Sequence, residues 1–213
     1  MKTAVITGAT SGLGKEIAGY YRSKGYKIIT AGKTDEHNPH NFADQMDLAN
    51  FQLKVEKTAL RIDVLVNNAG ALFLNEGRHN ANHLYNLLLY TPYILMTIFA
   101  ERMKQDGHII NIASVSGMMA DPDTPMYGAL KAGLISLTKS FAVKLAPNIR
   151  VNCISPGFFN TNLVPGDAPE DLLIKVPLFR EAAPSEIIPV VEMLDQSRYM
   201  TGANIVIDGG KSA

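Results

Sequence analysis

Ser114, Tyr127 and Lys131 are the residues of this chain whose types and spacing can do chemistry. On a helix, positions four apart stand on one face, so the Lys131 ammonium falls beside the Tyr127 phenol. A free phenol titrates near ~10 and is a poor proton donor or acceptor at neutral pH. A neighbouring cation favours the phenolate, so Lys131 is expected to bring Tyr127 toward a useful range. A hydroxyl from elsewhere in the chain could then hold a carbonyl oxygen where the phenol protonates it. Ser114, thirteen residues before Tyr127, is one such hydroxyl; Ser116 is its rival.

Such a trio works only if strands and helices hold it in place, and the hydropathy pattern supplies them. Short β-rich runs occur at Thr3–Thr7, Lys27–Ala31, 62–66, 108–114, 150–155 and 204–208, and Gln45–Asp47 is expected to form a further strand. Between them lie helical stretches at Leu13–Lys24, Phe51–Leu60, Asn82–Lys104, Met126–Ala146 and Pro184–Leu194. The 62–66 run, IDVLV, is nearly continuous in apolar residues, as in a strand buried on both faces. Strands alternating with helices predict βαβ units and a doubly wound parallel α/β sheet. One domain spanning residues 1–213 is expected.

Two loops sit where such a sheet would bind a ligand. After the first strand comes T-G-A-T-S-G-L-G, with Gly8, Gly12 and Gly14, which leads into a helix. Glycines permit a tight turn and close approach of backbone to a pyrophosphate, while the helix N-terminus offers oriented N–H groups. Asn67-Asn68-Ala69-Gly70 directly follows the 62–66 strand, at a carboxyl end where ligands of α/β sheets gather.

T-G-x3-G-x-G, N-N-A-G, a serine after the fifth strand, Y-x3-K and a later P-G occur in the order found in the short-chain dehydrogenases/reductases, which the chain resembles from Thr7 to Gly210. The resemblance implies an NAD(P)-binding Rossmann fold of three α/β/α layers. It also implies hydride transfer between a nicotinamide and a small-molecule carbonyl or alcohol; the alternative is a dinucleotide-binding sensor or regulator with the same fold and little turnover. Tyr127 would be the general acid/base, Lys131 would depress its pKa and hold the nicotinamide ribose, and Ser114 would bind the substrate oxygen. The cofactor would rest on Gly8, Thr10, Ser11, Gly12, Leu13, Gly14, Asp47, Leu48, Asn67, Asn68, Ala69 and Gly70. Pro156, Gly157 and Thr161 would flank its nicotinamide, together with Tyr127 and Lys131. Lys33, after the second strand, favours NADP(H) by offering a point charge to a 2′-phosphate, while Asp35 leaves NAD(H) open. Asp47 could instead cap the following helix. The family places an Asn on the helix before the fifth strand: counting back from Ser114 gives Asn86, whereas aligning Pro92-Tyr93 gives Leu88. Excess apolar residues on the helices at 82–104 and 126–146 match the family's homodimer interface, so a homodimer or homotetramer is expected.

Composition excludes several other classes. Lys plus Arg and Asp plus Glu both number 20, leaving no basic excess to draw nucleic acid or an anionic membrane. No stretch approaches the ~20 apolar residues of a membrane span, and the start reads as a strand, so a cytoplasmic setting is expected. Cys153 is expected to be a buried small hydrophobe, and the five His show no metal-ligand pattern. Residues 32–44 are all that separates the second strand from the one expected at Gln45, too few for the usual intervening helix. Thr161–Arg180 reads as a flap over a pocket lined by Leu72, Phe73, Leu74, Phe158, Phe159, Leu163 and Leu178.

Overall fold

Six short runs become parallel strands, carrying side chains for both faces of a covered sheet. The structure, a computed structural model, describes residues 1–32, 40–72, 78–161, 163 and 173–213. Its strands are β1 (Thr3–Thr7), β2 (Lys27–Ala31), β3 (Ile62–Asn67), β4 (Met103–Ile112), β5 (Ile149–Pro156) and β6 (Asn204–Ile207). They form one six-stranded sheet in the order β2-β1-β3-β4-β5-β6, and every pairing is parallel. The chain moves outward from β1 to β2, then crosses back to β3 on the other side of β1. The carboxyl ends of β1 and β3 therefore form the switch point at which such sheets open a crevice.

Side chains alternate between the faces with period two. Val5, Leu65, Ile109 and Val151 point to one layer, where they pack with α2 (Gln45–Thr58), α4 (Thr91–Ala100) and α5 (Pro125–Leu145). Ala4, Ile6, Val64, Val66, Ile110 and Ile154 point to the other, against α1 (Gly12–Ser23) and α6 (Ile188–Gln196). This is the doubly wound, three-layer α/β arrangement expected from the sequence.

Three local readings need correction. Gln45–Asp47 is not a strand but the first turn of α2, because the Asp44 carboxylate accepts from Met46 N and Asp47 N and starts a helix there. The run from Asn82 to Lys104 is not one helix. It comprises the end of α3 (Arg78–Tyr85), a π-helical turn at Asn86–Tyr90, and α4, which stops at Ala100. Met103 already pairs with Ile62, so β4 starts well before His108. A register shift between Ile62 and Val64 and a left-handed Asp106 (φ 67°) absorb the extra residues.

Candidate active site

Helix α5 presents Tyr127, Leu130, Lys131, Leu134, Thr138 and Phe141 on its buried face, the spacing of three and four that turns one side to the sheet. That register brings the trio together. Tyr127 hydrogen-bonds with Ser114, and Lys131 Nζ lies 5.6 Å from the Tyr127 ring centroid. Lys131 is 4 % exposed and donates to the Ile112 carbonyl at the end of β4 (2.8 Å). Ser114 follows β4, caps the short 3-10 turn Val115–Gly117 and accepts from Ser116 N. Ser116 instead lies inside that turn.

The electrostatics differ from expectation. Burial pushes the Tyr127 phenol up to about 12, outweighing the lowering from its Ser114 hydrogen bond. The expected depression by Lys131 is therefore not what governs this phenol. Burial in turn pulls the Lys131 ammonium down to about 8, and its cation is engaged with Ile112 rather than with the phenol oxygen. At neutral pH Tyr127 is a protonated phenol. Beneath Lys131 lies Cys153, fully buried and free, with its thiol pushed up to about 11 by burial and so unreactive.

The glycine turn has the shape of an anion cradle. Gly8 (φ 67°) and Gly12 (φ 52°) occupy left-handed backbone that other residues resist. A Cβ on Gly14 would run into the Gly8 carbonyl and the Asn68 amide. The N-cap Ser11 makes no side-chain cap, so the first amides of α1 stay available, with Leu13 in that first turn. Thr10 lies within the turn between β1 and α1, and Thr161 sits over Gly12, 3.2 Å from where a Cβ would stand. Across the switch point, Thr7 Oγ1 accepts from Asn68 N and Ala69 N (3.0 and 3.1 Å). Asn68 Nδ2 donates to the Thr7 and Gly8 carbonyls. The two loops are thus fixed to each other, and Gly70 abuts Leu88. Pro156 ends β5, and Gly157 N donates to Ile207 O, with no room for a Cβ beside Asp208. A backbone cradle closed to side chains, open helix amides and a buried lysine beyond it fit a dinucleotide.

Other sequence-selected residues are elsewhere engaged. Asn86 lies in the π-helical turn and donates to the Ala43 carbonyl (3.1 Å), while Leu88 is buried. Asp47 accepts from Asn41 N (3.0 Å), and the helix cap it might have made is made by Asp44; Leu48 is core. Asn67 is buried and donates to Asn111. Lys33 and Asp35, and Phe73 and Leu74 of the pocket, lie outside the described residues, as do residues 162 and 164–172 of the flap. Two residues were missed. Asn111, a polar residue in the apolar run HIINI, donates to Thr138 Oγ1 (2.9 Å) and ties β4 to α5. Thr7, the first residue of the glycine motif, holds N-N-A-G; its place beside Gly8 was the available signal.

Comparison with known proteins agrees with this geometry. A family model described as enoyl-(acyl carrier protein) reductase matches residues 8–212. The 3-oxoacyl-[acyl-carrier-protein] reductase FabG of Thermotoga maritima is 34% identical, over 98% of this chain and 97% of that protein. The chain is a short-chain dehydrogenase/reductase. The oxidoreductase UcpA of Salmonella typhimurium is also 34% identical, over 99% of this chain and 94% of that one. A 4-hydroxyisoleucine dehydrogenase complexed with NADH superposes with a TM-score of 0.87 at 31% identity, covering 100% of this chain and 99% of that one. This short-chain dehydrogenase/reductase is an NAD(P)-dependent oxidoreductase acting on carbonyl or alcohol groups. No helix among the described residues is long and apolar enough to cross a membrane.

Proposed function

We propose that the chain, acting as one domain, reduces a ketone or aldehyde with NADP(H), or runs the reverse reaction, with Tyr127 as the proton-transferring residue. The observation that carries this reading is the Ser114–Tyr127 hydrogen bond beside a buried Lys131, at the carboxyl edge of the sheet. The cofactor supplies and accepts the hydride. Ser114 donates to the carbonyl oxygen and holds it against the Tyr127 hydroxyl. Tyr127, kept protonated by burial, gives that oxygen its proton as negative charge develops. Lys131 releases the Ile112 carbonyl to bind ribose hydroxyls, and its cation stabilises the phenolate left when Tyr127 has given up its proton, until solvent re-protonates it. Gly8, Gly12, Gly14 and the first amides of α1 receive the pyrophosphate, and Pro156, Gly157 and Thr161 close the nicotinamide side.

NADP(H) is favoured because Gly32-Lys33 stands where an acidic residue would select NAD(H). Lys33→Glu should shift the kcat/KM ratio from NADPH toward NADH; an unchanged ratio would discredit the assignment. NADPH fluorescence on titration with the purified protein gives the binding test. Asn86, held by Ala43, would serve the proton path through its place in the π-helical turn rather than through a free amide. Homodimers or homotetramers are favoured by exposed Tyr85 and Tyr93 on the α3–α4 stretch and Val143 on α5. A cytoplasmic setting fits this chemistry.

A further inference from the structure

Lys211 follows β6 and reaches back across the carboxyl edge of the sheet, where its Nζ rests 4.5 Å over the Phe158 ring. Phe158 comes directly after Pro156-Gly157, on the nicotinamide side of the crevice. A ring face attracts a cation and holds it in place, yet leaves its charge unneutralised. Among the described residues, no carboxylate completes an ion pair with Lys211. Asp208, three residues earlier, makes no contact ion pair with it: Oδ1 accepts from Gly210 N and Oδ2 from Ser212 N and Ser212 Oγ, while the Lys211 cation, nearby but not in contact, helps hold that carboxyl below its ordinary range. Arg180 is instead neutralised, in a two-pronged pair with Glu186.

Phe158 and Lys211 extend from the carboxyl ends of β5 and β6, and β5 adjoins β4, which Ser114 follows. Met118, four residues past Ser114, receives the Asn204 amide of β6 at its sulfur (3.2 Å), so the serine's segment and the β6 side border one space. Val176 and Leu178 pack on Gly209, and Leu178 N donates to its carbonyl. Next in the chain is Phe179, 71 % exposed and held at φ 50°, a left-handed conformation that bulky residues resist. An apolar ledge of Leu178 and Phe179 thus adjoins Gly209, two residues before an ammonium that makes no contact ion pair among the described residues.

We propose that Lys211 is a specificity-determining residue that holds the carboxylate of an oxo acid, or of the matching hydroxy acid, with Leu178 and Phe179 covering its aliphatic part; this rests on the carbonyl chemistry assigned above. A single ammonium suits a carboxylate better than a phosphate, which calls for several donors or a guanidinium fork. Lys211 leans over the exit of β5, and Ser114 follows the adjacent β4. Neighbouring strands lie about 4.8 Å apart, so the reacting carbonyl and the carboxylate are separated by a few carbons.

The test compares wild type, Lys211→Gln and Lys211→Arg on 4-oxopentanoate and 5-oxohexanoate and on their methyl esters, with NADPH and NADH. A charge-assisted contact is expected to favour acid over ester by roughly 10- to 100-fold in kcat/KM. That preference should collapse in Lys211→Gln through KM for the acid, and largely persist in Lys211→Arg. Equal effects on acid and ester, or an unchanged preference, overturn the proposal. A calorimetric arm separates the two readings: wild type with NADP should bind pentanoate more tightly than pentanamide, and Lys211→Gln should not. If no ketone is turned over, the reaction reading fails, and the pentanoate arm alone decides Lys211. Equal binding of pentanoate and pentanamide by wild type overturns the proposal whatever the kinetics show.

Discussion

Replacing Lys131 with Met should stabilise the protein while disabling it. Burial brings the Lys131 ammonium from its ordinary 10.5 to about 8, and only 4 % of the residue is exposed, so solvent screening does little to soften the penalty. A displacement of that size corresponds to about 3 kcal/mol against the charged form in the folded state. Methionine matches the length of the lysine stem and removes the charge, but it leaves the Ile112 carbonyl without its donor, which costs about 1 kcal/mol. The net expectation at pH 7 is a gain of roughly 2 kcal/mol, or ~4–8 °C in Tm for a chain of this size. The sign depends on pH in a defined way. Below about 8 both folded and unfolded wild type carry the charge, and the full penalty applies. Between about 8 and 10.5 the unfolded state binds more protons than the folded one, so wild-type stability climbs relative to Lys131→Met and the gap closes. Urea unfolding at pH 7 and at pH 10.5 reads both values. A variant no more stable than wild type at pH 7, or a gap independent of pH, would refute the view of Lys131 as a buried charge awaiting a partner.

The remaining predictions concern the frame around that lysine. His108 is buried and held below its ordinary 6.5 chiefly by burial, against the pull of its Asp195 hydrogen bond, with Arg150 and Arg198 also lowering it. As pH falls below about 6.5 the unfolded chain takes up a proton that the fold refuses, so stability should drop by up to about 1.4 kcal/mol per pH unit, and His108→Gln should flatten that slope in urea titrations. Gly14→Ala should destabilise by roughly 1–3 kcal/mol and weaken NADPH binding, because its Cβ meets the Gly8 carbonyl and the Asn68 amide; calorimetry and melting curves check both. Thr138→Val strands the Asn111 amide and should cost about 1–3 kcal/mol, with Thr138→Ser restoring most of it.

What could be read from the sequence was whatever single residues announce. Val5, Leu65 and Val151 alternate with their neighbours at period two, so the strands were legible. Glycines, a phenol and a lysine at motif spacing marked the crevice before its geometry was known. The trio itself was legible for the same reason, as helical spacing alone puts Tyr127 and Lys131 on one face. Features that depend on contacts far apart in the chain were not. Gln45–Asp47 looked like a strand because nothing in three residues reveals that Asp44 will cap them. The helix expected through Lys104 is cut short because Met103 finds Ile62, 41 residues earlier in the chain, a pairing invisible in local hydropathy. The Lys131–Ile112 bond and the Asn67–Asn111–Thr138 chain need β3, β4 and α5 to have packed first. Asn86 shows the same limit: counting residues made it a candidate beside Leu88, but only the fold shows its amide turned to Ala43.

Single-turnover reduction of a carbonyl substrate by Tyr127→Phe, followed as loss of NADPH absorbance, tests the central claim most directly. Phenylalanine keeps the ring beneath the Lys131 cation and removes only the hydroxyl that bonds with Ser114. The expected result is a fall in the hydride-transfer rate of about 10²–10⁴-fold, with NADPH affinity essentially unchanged. A variant that retains the wild-type rate would contradict the assignment of Tyr127 as the proton donor.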